Sequence, residues 1–298
     1  MPPRSSVKRR SAVAALTALA GVAAAGALLL PWAGRLGQQE QAAGLQYPPP
    51  PLERTDALAQ QLSLFSMGGL RTFAAEILAM DATSAWLQQD WPRARSRWQQ
   101  ITTLCPHRAN YWIRASRDMA KNAVAHTQTR EDLGEYERAV LRKDYLDTAE
   151  NLLQHGIANN PDEPLLRLEL AGFYEDLARR PQFAKAAEAY REAVAHGASP
   201  MYWRWVFYNR CRIRGQEQDA WQLGRALFEQ ERHRSPSLRC LLFVLQAELG
   251  DAVPAAERLS PEQLFGSQKK AVDYLRTFLR NDLRFPTRGI REYLESHA

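Results

Sequence analysis

The densest group of side chains suited to specific binding lies in residues 201–214, which read MYWRWVFYNRCRIR. Five of the seven residues from Tyr202 to Tyr208 are aromatic, and three arginines follow at alternate positions. One narrow face of a helix cannot bury so many rings, so two interpretations stay open. Either the rings pack against two neighbouring helices, or some of them line a surface with the arginines. Aromatic rings, an amide and a guanidinium suit an extended peptide that carries an acidic group.

Sequence signals for catalysis are absent. The chain has no glycine-rich phosphate loop, nucleophile elbow, HExxH zinc motif or CxxC pair. None of the six histidines is followed by a second metal ligand three or four residues later. Adjacent carboxylates such as Asp162-Glu163 and Glu175-Asp176 lie in charged stretches typical of a solvated surface. We therefore predict that the protein is not an enzyme, with no catalytic residue, metal, cofactor or small-molecule substrate.

The first 34 residues predict where the protein resides. Residues 1–10 carry four positive charges and no acid, and residues 11–34 are uncharged and almost entirely Ala, Val, Leu and Gly. As a helix, the uncharged stretch reaches about 36 Å at ~1.5 Å per residue, enough for a hydrocarbon core of ~30 Å. The charge asymmetry predicts a transmembrane anchor with a cytoplasmic basic head and an exported body. A cleaved signal peptide is the alternative, although its apolar region is usually shorter, roughly 7–15 residues.

Composition excludes two further classes of protein. The net charge of +6 does not indicate nucleic-acid binding, because residues 1–10 hold four of those charges and the folded part holds little surplus. Three cysteines are too few for a disulfide framework. Cys211 and Cys240 remain a candidate pair in an oxidising compartment, and small buried core residues are the other interpretation.

The rest of the chain predicts helices behind a short linker. Residues 35–55 include Pro48 to Pro51 and predict a semi-rigid spacer, and residues 56–298 form the folded domain. In that domain Ala, Leu, Glu, Gln and Arg dominate, and no stretch alternates apolar and polar residues as a strand does. Helix ends are expected near the prolines at 106, 161, 200, 236 and 261. Two of the spacings between these prolines, 39 residues from 161 to 200 and 36 residues from 200 to 236, are close to the ~34-residue period of a helical-hairpin repeat.

Five groups of residues between Gly69 and Leu259 repeat one order of large, small and aromatic side chains. They are Leu170-Ala171 with Tyr174, Ala186, Tyr190, Ala193 and Ser199-Pro200; Asp90-Trp91 with Ala94 and Trp98; Ala149 with Leu153; Gly215 with Ala220; and Leu249-Gly250 with Ala255. Small residues would stand where two helices cross, and aromatics would fill the gap between hairpins. The pattern resembles the tetratricopeptide (TPR) repeat family. The resemblance implies an all-α, right-handed α-solenoid of about five TPR-like hairpins.

Residues 66–200 also resemble a narrower group of bacterial single-pass membrane proteins. The resemblance rests on Met67-Gly68-Gly69-Leu70-Arg71, Cys105-Pro106-His107, Ala120-Lys121-Asn122 and Asn160-Pro161. Leu78-Ala79 and Ser116-Arg117-Asp118 depart from the group's usual residues. Members carry divergent TPR-like repeats behind one N-terminal helix. This implies a bacterial inner-membrane protein with a cytoplasmic N-terminus and a periplasmic repeat domain.

The TPR resemblance also implies a place for the partner. In that family the first helix of each repeat lines a groove, with exposed side chains near its second, fifth, ninth and twelfth positions. If one repeat begins at Met201, those positions are Tyr202, Trp205, Asn209 and Arg212, which we predict line a partner-binding groove. Trp203 and Phe207 are then expected to face neighbouring helices.

Taken together, these patterns predict a membrane-anchored, extracytoplasmic scaffold that binds a protein or peptide partner. A non-catalytic module that binds glycan or cell-wall polymer through Trp and Tyr is the alternative. The two differ in what the exposed aromatics would contact, a polypeptide or a sugar ring.

Overall fold

The computed structural model of the protein describes residues 70–176, 180–281 and 284–297. The predicted head at 1–10, transmembrane helix at 11–34 and linker at 35–55 lie outside these residues. All regular elements of the described residues are helical and none is a strand, which confirms the all-α prediction. No helix within these ranges is both long enough and apolar enough to cross a membrane. The chain divides into two compact units, Met1–Cys105 and Pro106–Ala298.

The described part of the first unit is a hairpin of α1 (Leu70–Leu87) and α2 (Trp91–Leu104). The buried residues of α1 are small, and most of those on α2 are large, so the two helices can lie close together. They include Ala75, Ala82 and Ala85 on α1 and Trp91, Trp98 and Ile101 on α2. Asp90 starts α2, because its carboxylate accepts the Arg93 backbone N–H at 3.1 Å. Asp81 of α1 pairs with both Arg93 and Arg97 of α2, and these hydrogen bonds lower the pKa of the Asp81 carboxyl.

The second unit is a longer series of helices. They are α3 (Ala109–Arg117), α4 (Val124–Thr129), α5 (Glu135–Asn159), α6 (Pro164–Glu175), α7 (Phe183–Ala195), α8 (Trp203–Arg210), α9 (Glu217–Glu229), α10 (Pro236–Leu249), α11 (Pro261–Phe265), α12 (Gln268–Arg280) and α13 (Ile290–Glu295). A π-helical segment, Asp118–Ala123, joins α3 to α4. Packing follows chain order, since each helix from α5 to α9 packs on the next one, and α3 also packs on α6.

The predicted helix breaks are confirmed at the prolines. Pro236 and Pro261 are the first residues of α10 and α11, where a missing N–H leaves no hydrogen bond unmade. Ser235 caps α10 by accepting the Leu238 N–H at 3.3 Å. Ser260 caps α11 in a capping box with Gln263. Pro200 opens a 3-10 turn before α8, and the turns at 106 and 161 precede α3 and α6.

Two glycines allow helices of the second unit to cross closely. A Cβ atom at Gly156 of α5 would lie 2.9 Å from the Trp112 side chain, and one at Gly224 of α9 would lie 2.5 Å from the Phe207 ring. The small residues Ala171, Ala186, Ala193 and Ala220 are likewise fully buried. Small side chains therefore stand where these helices approach each other, whereas Ala255 of the predicted fifth hairpin is exposed in a 3-10 turn.

The end of the chain returns to the helices before it. Phe285 stacks on Phe278 at 5.7 Å between ring centroids and lies 6.2 Å from the Tyr208 ring of α8. Gly289 adopts a φ of +81°, and a Cβ atom there would lie 2.7 Å from Ala247 Cβ of α10. Ile290 is fully buried. Residues 284–297 thus complete the core around α8, α10 and α12.

All three cysteines are buried, and none of them forms a disulfide. Cys211 and Cys240 belong to the same core cluster but form no disulfide. Burial raises the pKa of the Cys211 thiol, and it raises that of Cys240 to about 12. Of the two interpretations left open by the sequence, the structure supports small core residues, which are unreactive as nucleophiles because the thiolate is disfavoured.

Candidate functional site

The aromatic residues of α8 divide between the core and the surface. Phe207 is fully buried, and Trp203 packs against the cores on both sides of α8, as predicted. Tyr202, Trp205 and Tyr208 are half-buried and form a chain of ring contacts, with centroids 5.3 Å apart for the first two and 6.2 Å for the last two. Within residues 202–208, some rings therefore belong to the core and others keep exposed surface.

The ring contacts of residues 202–208 continue onto α7, where they meet the buried Tyr190. The Tyr202 ring stacks on Tyr190 with the centroids 6.0 Å apart and the planes 13° apart. The Arg204 guanidinium lies 5.4 Å from the Trp205 ring on the other side. The half-buried rings can therefore contact a partner without a change in the fold, since their edges and faces are already ordered by their neighbours.

Two of the four predicted groove residues are not exposed, which corrects the sequence-based expectation. Asn209 is fully buried, and its amide donates to the Trp205 carbonyl oxygen at 2.9 Å, one helical turn earlier. The Arg212 side chain retains 5% of its exposure and pairs with Glu175 of α6, with Nη1 and Oε1 3.3 Å apart. Tyr202 and Trp205 keep exposed surface, so a partner role for that pair stays a prediction.

Arg212 is held by both charge and aromatic rings. Its guanidinium carbon lies 3.9 Å from the Phe285 ring centroid and 5.0 Å from that of Phe183. Glu175 also accepts a hydrogen bond from the Tyr190 hydroxyl at 2.9 Å. Burial lowers the pKa of Arg212, and the Glu175 carboxylate opposes that shift; burial and the same carboxylate raise the pKa of Tyr190. This Arg212–Glu175–Tyr190 cluster joins the segment after α8 to α6 and α7.

A cavity of about 340 Å³ lies between the α3–π helix and α6. Its walls are formed by Ser116, Arg117, Ala120 and Lys121 on one side and by Leu168, Glu169, Gly172, Phe173, Glu175 and Asp176 on the other. Residues 116 and 120, and 117 and 121, are one helical turn apart, so each pair presents one face to the cavity. The volume is at the small end of the ~300–1,000 Å³ range of ligand pockets.

Most charges around this cavity are engaged inside the protein. The Arg117 guanidinium donates to both Glu169 oxygens, at 2.8 and 2.5 Å, and this pairing raises the pKa of Arg117. Glu175 pairs with Arg212 as described above, and Asp176 has interactions of its own. Lys121 is exposed and has no ionic partner among the described residues. Lys121 is therefore the charged group of the cavity wall for which the described residues supply no ionic partner.

Sequence reasoning missed the residues of this cavity. Lys121 lies in a stretch quoted for the resemblance to bacterial single-pass proteins, but that resemblance gives it no role, and Arg117 and Phe173 stand in no functional motif. The three residues come together only because α3 packs on α6, about 50 residues later in sequence. Gly172 is the one residue of the cavity that the sequence could have indicated, because a glycine in the middle of a helix usually has a packing or functional role. Glu175 connects the cavity to the cluster beside the aromatic surface.

No protein-family model matches the chain, and no curated protein matches it. Within the described residues, no group of three or more His, Cys, Asp and Glu side chains is arranged to hold a metal ion. The site must therefore be interpreted from its own geometry.

Proposed function

We propose that the protein is a membrane-anchored, extracytoplasmic scaffold that binds a protein or peptide partner through a TPR-like α-solenoid. Chain-order packing in the second unit supports the solenoid, because repeat proteins contact mainly their neighbours along the chain. The basic head and the uncharged stretch at 11–34 support the anchor, and the resemblance to bacterial single-pass proteins supports an inner-membrane location with the helices in the periplasm.

One observation supports partner binding above the others: an open cavity lies between α3 and α6. Both helices begin hairpins, α3 with α5 and α6 with α7. In a TPR-like array the first helices of successive hairpins would line one continuous groove. Glu175 links the cavity to the α8 region, because it lines the cavity and accepts a hydrogen bond from Tyr190, on which the Tyr202 ring stacks.

The glycan alternative has its own support in the aromatic surface. Tyr202, Trp205 and Tyr208 present partly exposed rings, and sugars stack on such faces. A polypeptide partner accounts for more of the site, because the neighbouring cavity adds a free ammonium group and a half-buried phenyl ring. These two classes of partner can be separated by capture.

We expect affinity capture with the full-length chain in detergent to enrich a protein rather than polysaccharide. Trp205→Ala should weaken partner binding by roughly 2 kcal/mol, as the truncation of an aromatic anchor in an interface often does. Most of the captured protein should then be lost. Tyr136→Ala is the matched control, because Tyr136 is 81% exposed on α5 outside the site and should capture as wild type does. Retention on peptidoglycan, weakened by Trp205→Ala, with no enriched protein would instead establish the glycan alternative.

Topology has a separate test. Alkaline phosphatase fused after Ala298 is expected to be active. A fluorescent protein that fluoresces only in the cytoplasm should give no signal when it is fused at the same place. Both results are expected because the positive charges of residues 1–10 keep the N-terminus in the cytoplasm. Fluorescence without phosphatase activity would reject export. Loss of the first ~35 residues from the mature mass would reject only the anchor, in favour of a signal peptide.

A further inference from the structure

Gly172 of α6 is a glycine that the fold does not require. A glycine inside a helix is less favourable than alanine, so it is usually found where a close contact leaves no room for a side chain. Gly156 and Gly224 lie at such contacts, because a Cβ atom at either position would lie within 3 Å of a neighbouring side chain. Around Gly172 no atom lies within 4 Å of the Cβ position. Packing therefore explains two of these three helical glycines and not the third.

The space above Gly172 is the cavity itself. Gly172 lines its α6 wall beside Phe173, opposite Arg117 and Lys121. Any side chain at 172 would occupy part of the 340 Å³ and cover the α6 backbone. Glycine keeps this wall flat and lets another chain approach closely.

The free charge of the cavity indicates the chemistry of its occupant. Arg117 pairs with Glu169, and Glu175 pairs with Arg212, so both pairs are compensated inside the protein. The third carboxylate of the wall, Asp176, also has an interaction of its own. Lys121 keeps an ammonium group without an ionic partner in the described part of the chain. An ammonium group beside an apolar ring and an open backbone suits a carboxylate next to an apolar side chain.

We propose that this cavity binds an extended acidic segment of the partner protein. A carboxylate of that segment pairs with Lys121, its backbone passes over Gly172, and a neighbouring apolar side chain packs on Phe173. The volume accommodates a few residues of peptide rather than a folded domain. This inference rests on the proposed function and adds the chemical class of the partner and the residues that select it.

The test uses a phage-displayed library of random twelve-residue peptides, selected on the full-length chain in detergent. Peptides with Asp or Glu next to apolar residues should be enriched. Synthetic copies should bind wild type and lose about tenfold or more in affinity with Lys121→Glu, measured by fluorescence anisotropy. Lys121→Glu should itself select Lys- or Arg-containing peptides. Lys269→Glu, an exposed lysine on α12, is the matched control and should bind as wild type does.

Gly172 supplies a second measurement that separates binding from folding. Gly172→Ala should raise the melting temperature by roughly 2 °C, since it favours the helix and meets no atom, while it weakens the selected peptides. Gly172→Leu should abolish their binding and still fold. The proposal is overturned if no peptide is enriched, or if enriched peptides bind Lys121→Glu and Gly172→Leu as tightly as wild type. A captured partner that binds both variants normally would leave the scaffold function intact and place its site elsewhere.

Discussion

Replacing Phe207 with alanine is expected to lower the free energy of unfolding by about 3–5 kcal/mol. Phe207 is fully buried in the core shared by α8, α9 and α10. Its ring fills the space left by the missing side chain of Gly224, so alanine would leave a void that neighbouring helices cannot easily close. Urea denaturation followed by circular dichroism of the full-length chain measures the effect.

Trp205→Ala is the matched control on the same helix. Trp205 is half-buried and contacts Tyr202 and Tyr208 by its ring, so its loss should cost clearly less stability than the loss of Phe207. Equal losses for the two variants would mean that Trp205 is a core residue and that the aromatic surface is not available to a partner.

A double-mutant cycle makes the Phe207 prediction sharper. Gly224→Ala alone places a Cβ atom 2.5 Å from the Phe207 ring and should destabilise by roughly 1–3 kcal/mol through overpacking. In the Phe207→Leu background, Gly224→Ala should destabilise the protein less, because the ring atom that the new Cβ atom would contact is absent. Purely additive effects would contradict the close approach of α8 and α9 at this point.

The second large effect is expected at Glu175. Glu175→Gln should destabilise by about 3 kcal/mol, because it removes the carboxylate that pairs with the nearly buried Arg212 guanidinium. We place the value at the lower end of the range for a broken buried pair, since Glu175 itself keeps 23% of its exposure. The melting curve of the variant measures this loss directly.

Glu188→Gln is the matched control for Glu175→Gln. Glu188 pairs with Arg191 on the surface of α7, where ion pairs contribute about 0–1 kcal/mol. Arg212→Met in the Glu175→Gln background should recover much of the loss, because the buried charge that Glu175 compensates is then removed as well. A Glu175→Gln variant as stable as Glu188→Gln would show that the pair is solvated.

The ion pair reverses one expectation drawn from the sequence. If Arg212 lay at an exposed groove position, as the sequence predicts, Arg212→Ala would barely change the melting temperature. In the structure Arg212 lies between Phe183 and Phe285 and pairs with Glu175, so its removal also exposes ring surface. Arg212→Ala should therefore destabilise the fold whether or not a partner is present.

The sequence alone determined the features that depend on neighbours along the chain. Helices are local, so residue propensities and proline positions were enough to predict an all-helical fold and its breaks, such as those at Pro236 and Pro261. The inward orientation of Phe207 was also predictable, because helical spacing assigns each side chain to a face.

Only the tertiary structure decided which of these residues remain accessible. Arg212 meets Glu175, 37 residues earlier, and Phe285, which follows α12, and neither contact has a signal in the local sequence. The cavity likewise exists because α3 packs on α6, which sets Lys121 opposite Gly172. Periodicity gives the face of one helix, but exposure depends on what distant segments place against that face. For that reason the sequence located the aromatic surface of α8, whereas the burial of Asn209 and Arg212 and the free space above Gly172 emerged only from the packed helices.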